Sequence, residues 1–184
     1  MRHQVLIGIT GRKHSGKTTA AKFLARTHNF RIYSFADPIR TAASHLLDIP
    51  IEDVSYDAIK DRIMPEYGKS LRDFLKAIGI AAREVDQDFF LKRMESRLDS
   101  KAHPVERVVI PDVRFDNEVD LIQRRKGYIL HIDADERLGP NTDTHISENG
   151  ISSPHKINFT IQNNHYLDQL EFNVWQFAHQ ILSL

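Results

Sequence analysis

VLIGIT (residues 5–10) followed at once by GRKHSGKT (11–18) limits the fold of this chain more than any other stretch. The first run is continuous and largely β-branched, the pattern of a strand buried on both faces of a parallel sheet. The next eight residues fit the template G-x-x-x-x-G-K-[ST]. TTAAKFLART (18–27) then reads as a helix, with Ala20, Ala21, Leu24 and Ala25 facing inward. A strand, a glycine-bearing loop and a helix in that order form an anion cradle. Backbone N–H groups converge in the loop, and the helix N-terminus adds its partial positive charge.

The rest of the chain repeats the strand–helix alternation. FRIYSFA (30–36) reads as a second strand, and DPIRTAASHLL opens a helix with Pro38 near its first position. Residues 48–70 are irregular, punctuated by Pro50, Pro65 and Gly68. Helices follow over 70–85, with Leu71, Phe74, Leu75 and Ile78 at helical spacing, and over 86–98. ERVVIPDVRF (106–115) is a buried strand ending at Pro111-Asp112. DNEVDLIQRRKG is a helix closed by Gly127, and YILHID (128–133) and INFTIQ (157–162) are strands. The closing helix carries Leu167, Leu170, Val174, Phe177 and Ile181 on one stripe. Five strands alternating with helices imply an α/β domain of three layers, α/β/α, with a roughly five-stranded parallel sheet. Its 184 residues read as one domain, without repeats or a linker.

Lys plus Arg equals Asp plus Glu at 25 each, so the chain lacks the basic excess of a general nucleic-acid or membrane-surface binder. There are no cysteines, which excludes disulfides and thiolate metal sites. No run approaches the ~20 apolar residues that span a bilayer. MRHQVLIGIT leads straight into the loop and reads as no signal peptide, so the expected location is the cytoplasm.

In such a loop Lys17 contacts β- and γ-phosphates and the Thr18 hydroxyl helps hold Mg²⁺. Arg12, Lys13 and His14 add positive potential, with His14 facing outward. Asp112, after the apolar RVVI, stands where a Mg²⁺-coordinating or water-ordering carboxylate belongs, with Arg114 beside it at the carboxyl end of the strand. Arg40, Arg72 and Arg83 are further candidates, since a guanidinium fork suits bidentate phosphate binding. Asp37 reads as the N-cap of the helix at Pro38, or as a group orienting a loop or a sugar. DADERLGPNTDTHISENG (133–150) lies where a lid would sit, with Arg137 as its arginine. His145 and Glu148 lack further ligands for a metal, and Thr144 or Ser147 suits a turn or helix start there.

SGKTTAAKFL, FADPIR, MPEYGKSLRDFLKAIGIAAREVDQDFFLKRM, VVIPDVRFDNEVDLIQRRKGYILHI and DTHISENGI occur in this order. Together they resemble the bacteriophage-type deoxynucleoside monophosphate kinases, from the first strand to the last helix. The resemblance implies a phosphate-loop kinase fold and transfer of the ATP γ-phosphoryl group to a deoxynucleoside 5′-monophosphate. It implies Gly11, Ser15, Gly16, Lys17, Thr18 and Thr19 for ATP and Mg²⁺, with His14 on the same loop. It also implies Arg40, Arg72, Arg83, Asp112 and Arg114 around the acceptor or the transferred group, and the segment over about 134–150, with Arg137, stands where nucleotide kinases place a lid. The acceptor region spans about 37–99, and Phe89-Phe90 stands where relatives often carry Trp. ATP and the monophosphate are the expected partners of a monomer or homodimer in host cytoplasm, with neither nucleic acid nor membrane. Kinases of phosphomevalonate or dephospho-coenzyme A type, and a non-kinase nucleotide switch, share the loop and are the alternative readings.

Overall fold

The computed structural model describes residues 4–55, 57–101, 105–139, 151 and 154–183. The chain forms two compact units, Met1–Ser34 with Leu98–Leu184, and Phe35–Arg97. The elements begin with β1 (Val5–Thr10), α1 (Lys17–His28), β2 (Arg31–Ile32), α2 (Asp37–Leu47), α3 (Ile51–Ser55), α4 (Asp57–Lys60), β3 (Ile63–Met64) and β4 (Lys69–Ser70). They continue with α5 (Leu71–Val85), α6 (Phe89–Leu98), β5 (Arg107–Ile110), α7 (Asp116–Arg124), β6 (Tyr128–Asp133), α8 (Asp135–Leu138), β7 (Phe159–Gln162) and α9 (Leu167–Leu182).

In the first unit, five parallel strands run in the order β2-β5-β1-β6-β7, giving the three-layer α/β arrangement that the strand–helix alternation implies. β1 is central because Ile7 pairs with both Val109 of β5 and Tyr128 of β6. One sheet face, with Ile7, Ile9, Leu130, Ile132 and Ile161, packs on Leu24 of α1 and Val174 and Phe177 of α9. The other face receives α7, whose Ile122 lies so close to Gly8 that a Cβ there would stand 2.4 Å from its Cδ1.

Three expectations change. The strand expected over 30–36 pairs only at Arg31–Ile32, because the chain turns at Phe35-Ala36 to start α2. Pro111 has no N–H for the ladder, and β5 stops at Ile110. Leu167 is 60% exposed at the first residue of α9, outside the stripe of Leu170, Val174, Phe177 and Ile181, which is buried.

The second unit holds α2–α5, the antiparallel β3–β4 hairpin and most of α6. Residues 48–70, irregular in pattern, thus contain two short helices and a hairpin. Ala43, Val54 and Leu71 form its small core, with Leu47, Ile49, Met64, Leu75 and Ile78 packed against them. α5 starts on a reciprocal cap, in which the Asp73 N–H reaches Ser70 Oγ and the Ser70 N–H reaches Asp73 Oδ2. Among the described residues no helix is long and apolar enough to cross a membrane.

Two histidines make the first unit sensitive to acid. His28 has its ring 5.9 Å from that of His179. Burial first, then the charges of His179 and Arg107, hold its pKa below the ordinary histidine value. His131 on β6 is held low chiefly by burial. Unfolding restores the ordinary pKa near 6.5, so below that pH the unfolded chain binds protons more readily. This contribution is fully present above about pH 6.5, falls as the pH drops through that value, and levels off below the depressed folded pKa values. Thermal unfolding is expected to shift downward between about pH 7.5 and about pH 5.5, and less so in His131→Gln. An equal shift in the variant would show that His131 takes no part.

Candidate functional site

β1 lies where the strand order reverses, with β2 and β5 on one side and β6 and β7 on the other, and open α/β sheets bind ligands at the carboxyl end of such a strand. Residues 11–16 occupy that end, and α1 begins at Lys17. Gly11 (φ +136°) and Gly16 (φ +105°) hold backbone conformations that side chains resist. Crowding adds to this, since a Cβ on Gly11 would stand 2.3 Å from the Ile132 carbonyl oxygen. Ser15 is fully buried and its Oγ has no hydrogen-bond partner among the described residues. A buried hydroxyl of this kind, inside a loop that leads to a helix N-terminus, suits an oxygen of an anionic ligand. The Lys17 ammonium donates to the carbonyl oxygens of Gly11 (2.7 Å) and Arg12 (2.5 Å). His14 is exposed, in keeping with its outward-facing expectation, and Thr18 is exposed on the first turn of α1.

Residues from distant parts of the first unit hold this loop in shape. Arg12 Nη1 donates to Asp135 Oδ1 (2.8 Å) and to the Gly139 carbonyl (2.6 Å). Arg137 lies on α8, where its Nη2 donates to the His14 carbonyl (2.8 Å) and its Nε to the Asn163 carbonyl (3.1 Å). Asn163, 9% exposed, donates Nδ2 to the Ser15 carbonyl (2.8 Å). Asn163 belongs to no motif in the sequence. Its signal is its place directly after the last strand, at the same end of the sheet as the loop. The remainder of the expected lid, residues 140–150, lies outside the described residues, as do Thr144, His145, Ser147 and Glu148. Asp133 ends β6, and the Asp135 N–H (2.9 Å) followed by the Gln162 amide (3.1 Å) holds its carboxyl below the usual carboxylate range.

Asp112 and Arg114 follow β5, the strand beside β1. Ser34 Oγ donates to Asp112 Oδ2 at 2.5 Å. Glu118, 4% exposed on α7, accepts the N–H groups of Arg114 (2.7 Å) and Phe115 (3.2 Å) and so shapes the turn. Neither Ser34 nor Glu118 stands out in the sequence, since each marks itself only through its partner.

The second unit carries the other arginines. Asp37 is the first residue of α2, and Ala36 stands in the cap position, so the expected N-cap role is corrected. The Asp37 carboxylate instead accepts from Arg40 (2.9 Å) and Arg97 (2.6 Å). Arg72 donates from Nε and Nη2 to the two carboxylate oxygens of Asp61. Arg83, three turns along α5 from Arg72, lies 4.7 Å over the Phe90 ring. Phe90 itself is buried. Oxygen donors on Thr18 and Asp112 suit Mg²⁺, and no group of three or more His, Cys, Asp or Glu side chains gathers for a metal among the described residues. Such a donor set fits an ion held largely by nucleotide phosphates.

A model of the family described as deoxynucleotide monophosphate kinase matches residues 48–174, well over half of the chain. A protein of Acanthamoeba polyphaga mimivirus with the provisional name deoxynucleotide monophosphate kinase is 31% identical over 180 residues, covering 90% of this chain and 91% of that one. Among solved structures, one from Thermus thermophilus has a TM-score of 0.53 at 16% identity and covers 97% of this chain and 98% of that one. A sugar kinase from a Janibacter species has a TM-score of 0.53 at 14% identity, covering 96% and 95%. At these identities the two structures speak for the fold alone.

Proposed function

Since this chain belongs to the deoxynucleotide monophosphate kinase family, we propose that it moves the ATP γ-phosphoryl group to a deoxynucleoside 5′-monophosphate, leaving ADP and the diphosphate. The observation that carries the donor half is the cradle of residues 11–18, with its two positive-φ glycines, buried Ser15 hydroxyl and Lys17 ammonium. The acceptor half rests on the family and on the arginines.

The nucleophile is an acceptor phosphate oxygen, already substantially ionised near neutral pH, so no strong general base is needed. Catalysis is then alignment with charge neutralisation. Loop N–H groups and Lys17 bind the donor phosphates, and Arg114 meets charge on the transferred group. Arg137 holds the His14 and Asn163 carbonyls, which keeps the loop shaped for its ligand. Arg40 and Arg72, with Arg83, are assigned to the acceptor. Their carboxylate partners Asp37 and Asp61 keep two of these side chains extended and oriented before a phosphate competes for them. Thr18 and Asp112 would hold Mg²⁺, which supplies charge neutralisation on the phosphates.

An ADP-release assay against dGMP, dTMP, dCMP, dAMP, their ribonucleotide counterparts, phosphomevalonate and dephospho-coenzyme A tests this reading. Turnover with at least one deoxynucleoside monophosphate is expected. Turnover confined to phosphomevalonate or dephospho-coenzyme A would overturn the acceptor, and ATP binding without any transfer would favour a switch.

A further inference from the structure

β2 ends its pairing at Ile32, yet the Tyr33 N–H still reaches the Val109 carbonyl at 3.0 Å. The two segments therefore run side by side as far as Val109, and the next residue, Ser34, reaches Asp112 with its hydroxyl. Ser34 is 6% exposed, and its hydroxyl donates to Asp112 Oδ2 at 2.5 Å. A short bond from a hydroxyl to a carboxylate is of the charge-assisted kind, stronger and more directional than a neutral one. Glu118 in turn accepts from the backbone N–H groups of Arg114 and Phe115. The turn that carries Asp112 is thus restrained at its side chain by Ser34, two residues beyond β2, and at its backbone by Glu118 of α7.

We propose that Ser34 is a positioning residue of the phosphoryl-transfer site, acting through the Asp112 carboxylate. This rests on the reading of Asp112 as a group that serves the metal-bound nucleotide. By occupying Oδ2, the hydroxyl selects one rotamer of Asp112 and sets the direction in which the carboxylate acts. An aspartate that loses that bond keeps one restraint fewer on its carboxylate, so the productive direction is held less firmly. Partners one step removed from a metal group commonly cost about 10- to 100-fold in metal affinity or activity when removed.

The test uses the full chain and four proteins: wild type, Ser34→Ala, Asp112→Asn and the double variant. Calorimetry gives ATP affinity with Mg²⁺ and with chelator, and the assay above gives kcat and KM. For Ser34→Ala we expect kcat about tenfold or more below wild type, acceptor KM and metal-free ATP affinity unchanged, and a smaller gain in ATP affinity from Mg²⁺. The melting temperature should stay near wild type, and the double variant should match Asp112→Asn in the Mg²⁺-dependent gain. Additive losses in the double variant, or a wild-type Mg²⁺ gain and kcat in Ser34→Ala, would overturn the inference while leaving Asp112 in place. Undiminished kcat and Mg²⁺ gain in Asp112→Asn would overturn the reading of Asp112 and this inference with it.

Discussion

Lys17→Ala is expected to give a folded protein whose transfer of the γ-phosphoryl group falls by about 10²–10³ or more, the usual result of deleting one preorganised charge-stabilising donor. The ammonium is tethered by the Gly11 and Arg12 carbonyls, so it stands at the loop before any ligand arrives. A donor held in this way needs little reorganisation when charge develops on the bridging and γ-phosphate oxygens. Alanine removes both the charge and these two tethers, so part of the loss should appear as weaker ATP binding. ADP release measures the transfer, calorimetry measures the binding, and the melting temperature verifies the fold. A variant that turns over like wild type would dismiss the donor site assigned here.

Legibility of the chain divides along sequence distance. The strand VLIGIT, its loop and α1 are contiguous, and their local pattern is enough to identify them. The buried runs of β5 and β6 are equally plain, because an inner strand covered on both faces is largely apolar, while β7 at the edge alternates, with Ile161 buried between exposed Thr160 and Gln162. β2 is less plain. It is an edge strand with Ile32 38% exposed, and the apolar residues after it, Tyr33 and Phe35, are buried without belonging to the ladder. Residues 48–70 fold around a core of only a few side chains, which leaves little periodicity to read.

The site shows the same division. Lys17, Thr18, Asp112 and Arg114 announce themselves by spacing, whereas their supports do not. Asn163 meets the Ser15 carbonyl across 148 positions, and Ser34 meets Asp112 across 78. Arg137 reads from the sequence as a lid arginine, and its guanidinium donates to the loop backbone at His14 and to the Asn163 carbonyl. Such contacts exist only once the parallel sheet has set β2, β5, β1, β6 and β7 side by side. Pattern along the chain therefore marks candidates for ligand contact sooner than it marks the residues that hold those candidates in place.

Gly11→Ala should be the most damaging single-methyl change in the loop. The new Cβ would stand 2.3 Å from the Ile132 carbonyl oxygen and 2.8 Å from Ser15 Oγ. Ile132 cannot easily retreat, because β6 is paired on both sides, with Leu130 opposite Ile9 and Ile132 opposite Ile161. The loop must yield, and φ at residue 11 must leave +136° for a region alanine tolerates. Backbone strain and overpacking are each worth about 1–3 kcal/mol. Together they make about 2–6 kcal/mol, and at about 2–4 °C per kcal/mol for a chain of this size the melting temperature should fall by roughly 4–24 °C. ATP binding should be lost as well, since the displaced loop carries the N–H groups, the Ser15 hydroxyl and the Lys17 tethers. Gly68→Ala provides the comparison. That residue also has positive φ (+61°), but nothing lies within 4 Å of a Cβ there, so only the left-handed backbone cost of about 1–2 kcal/mol applies. If Gly11→Ala melts no lower than Gly68→Ala and still binds ATP, the loop is not clamped against β6 and the cradle does not depend on this glycine.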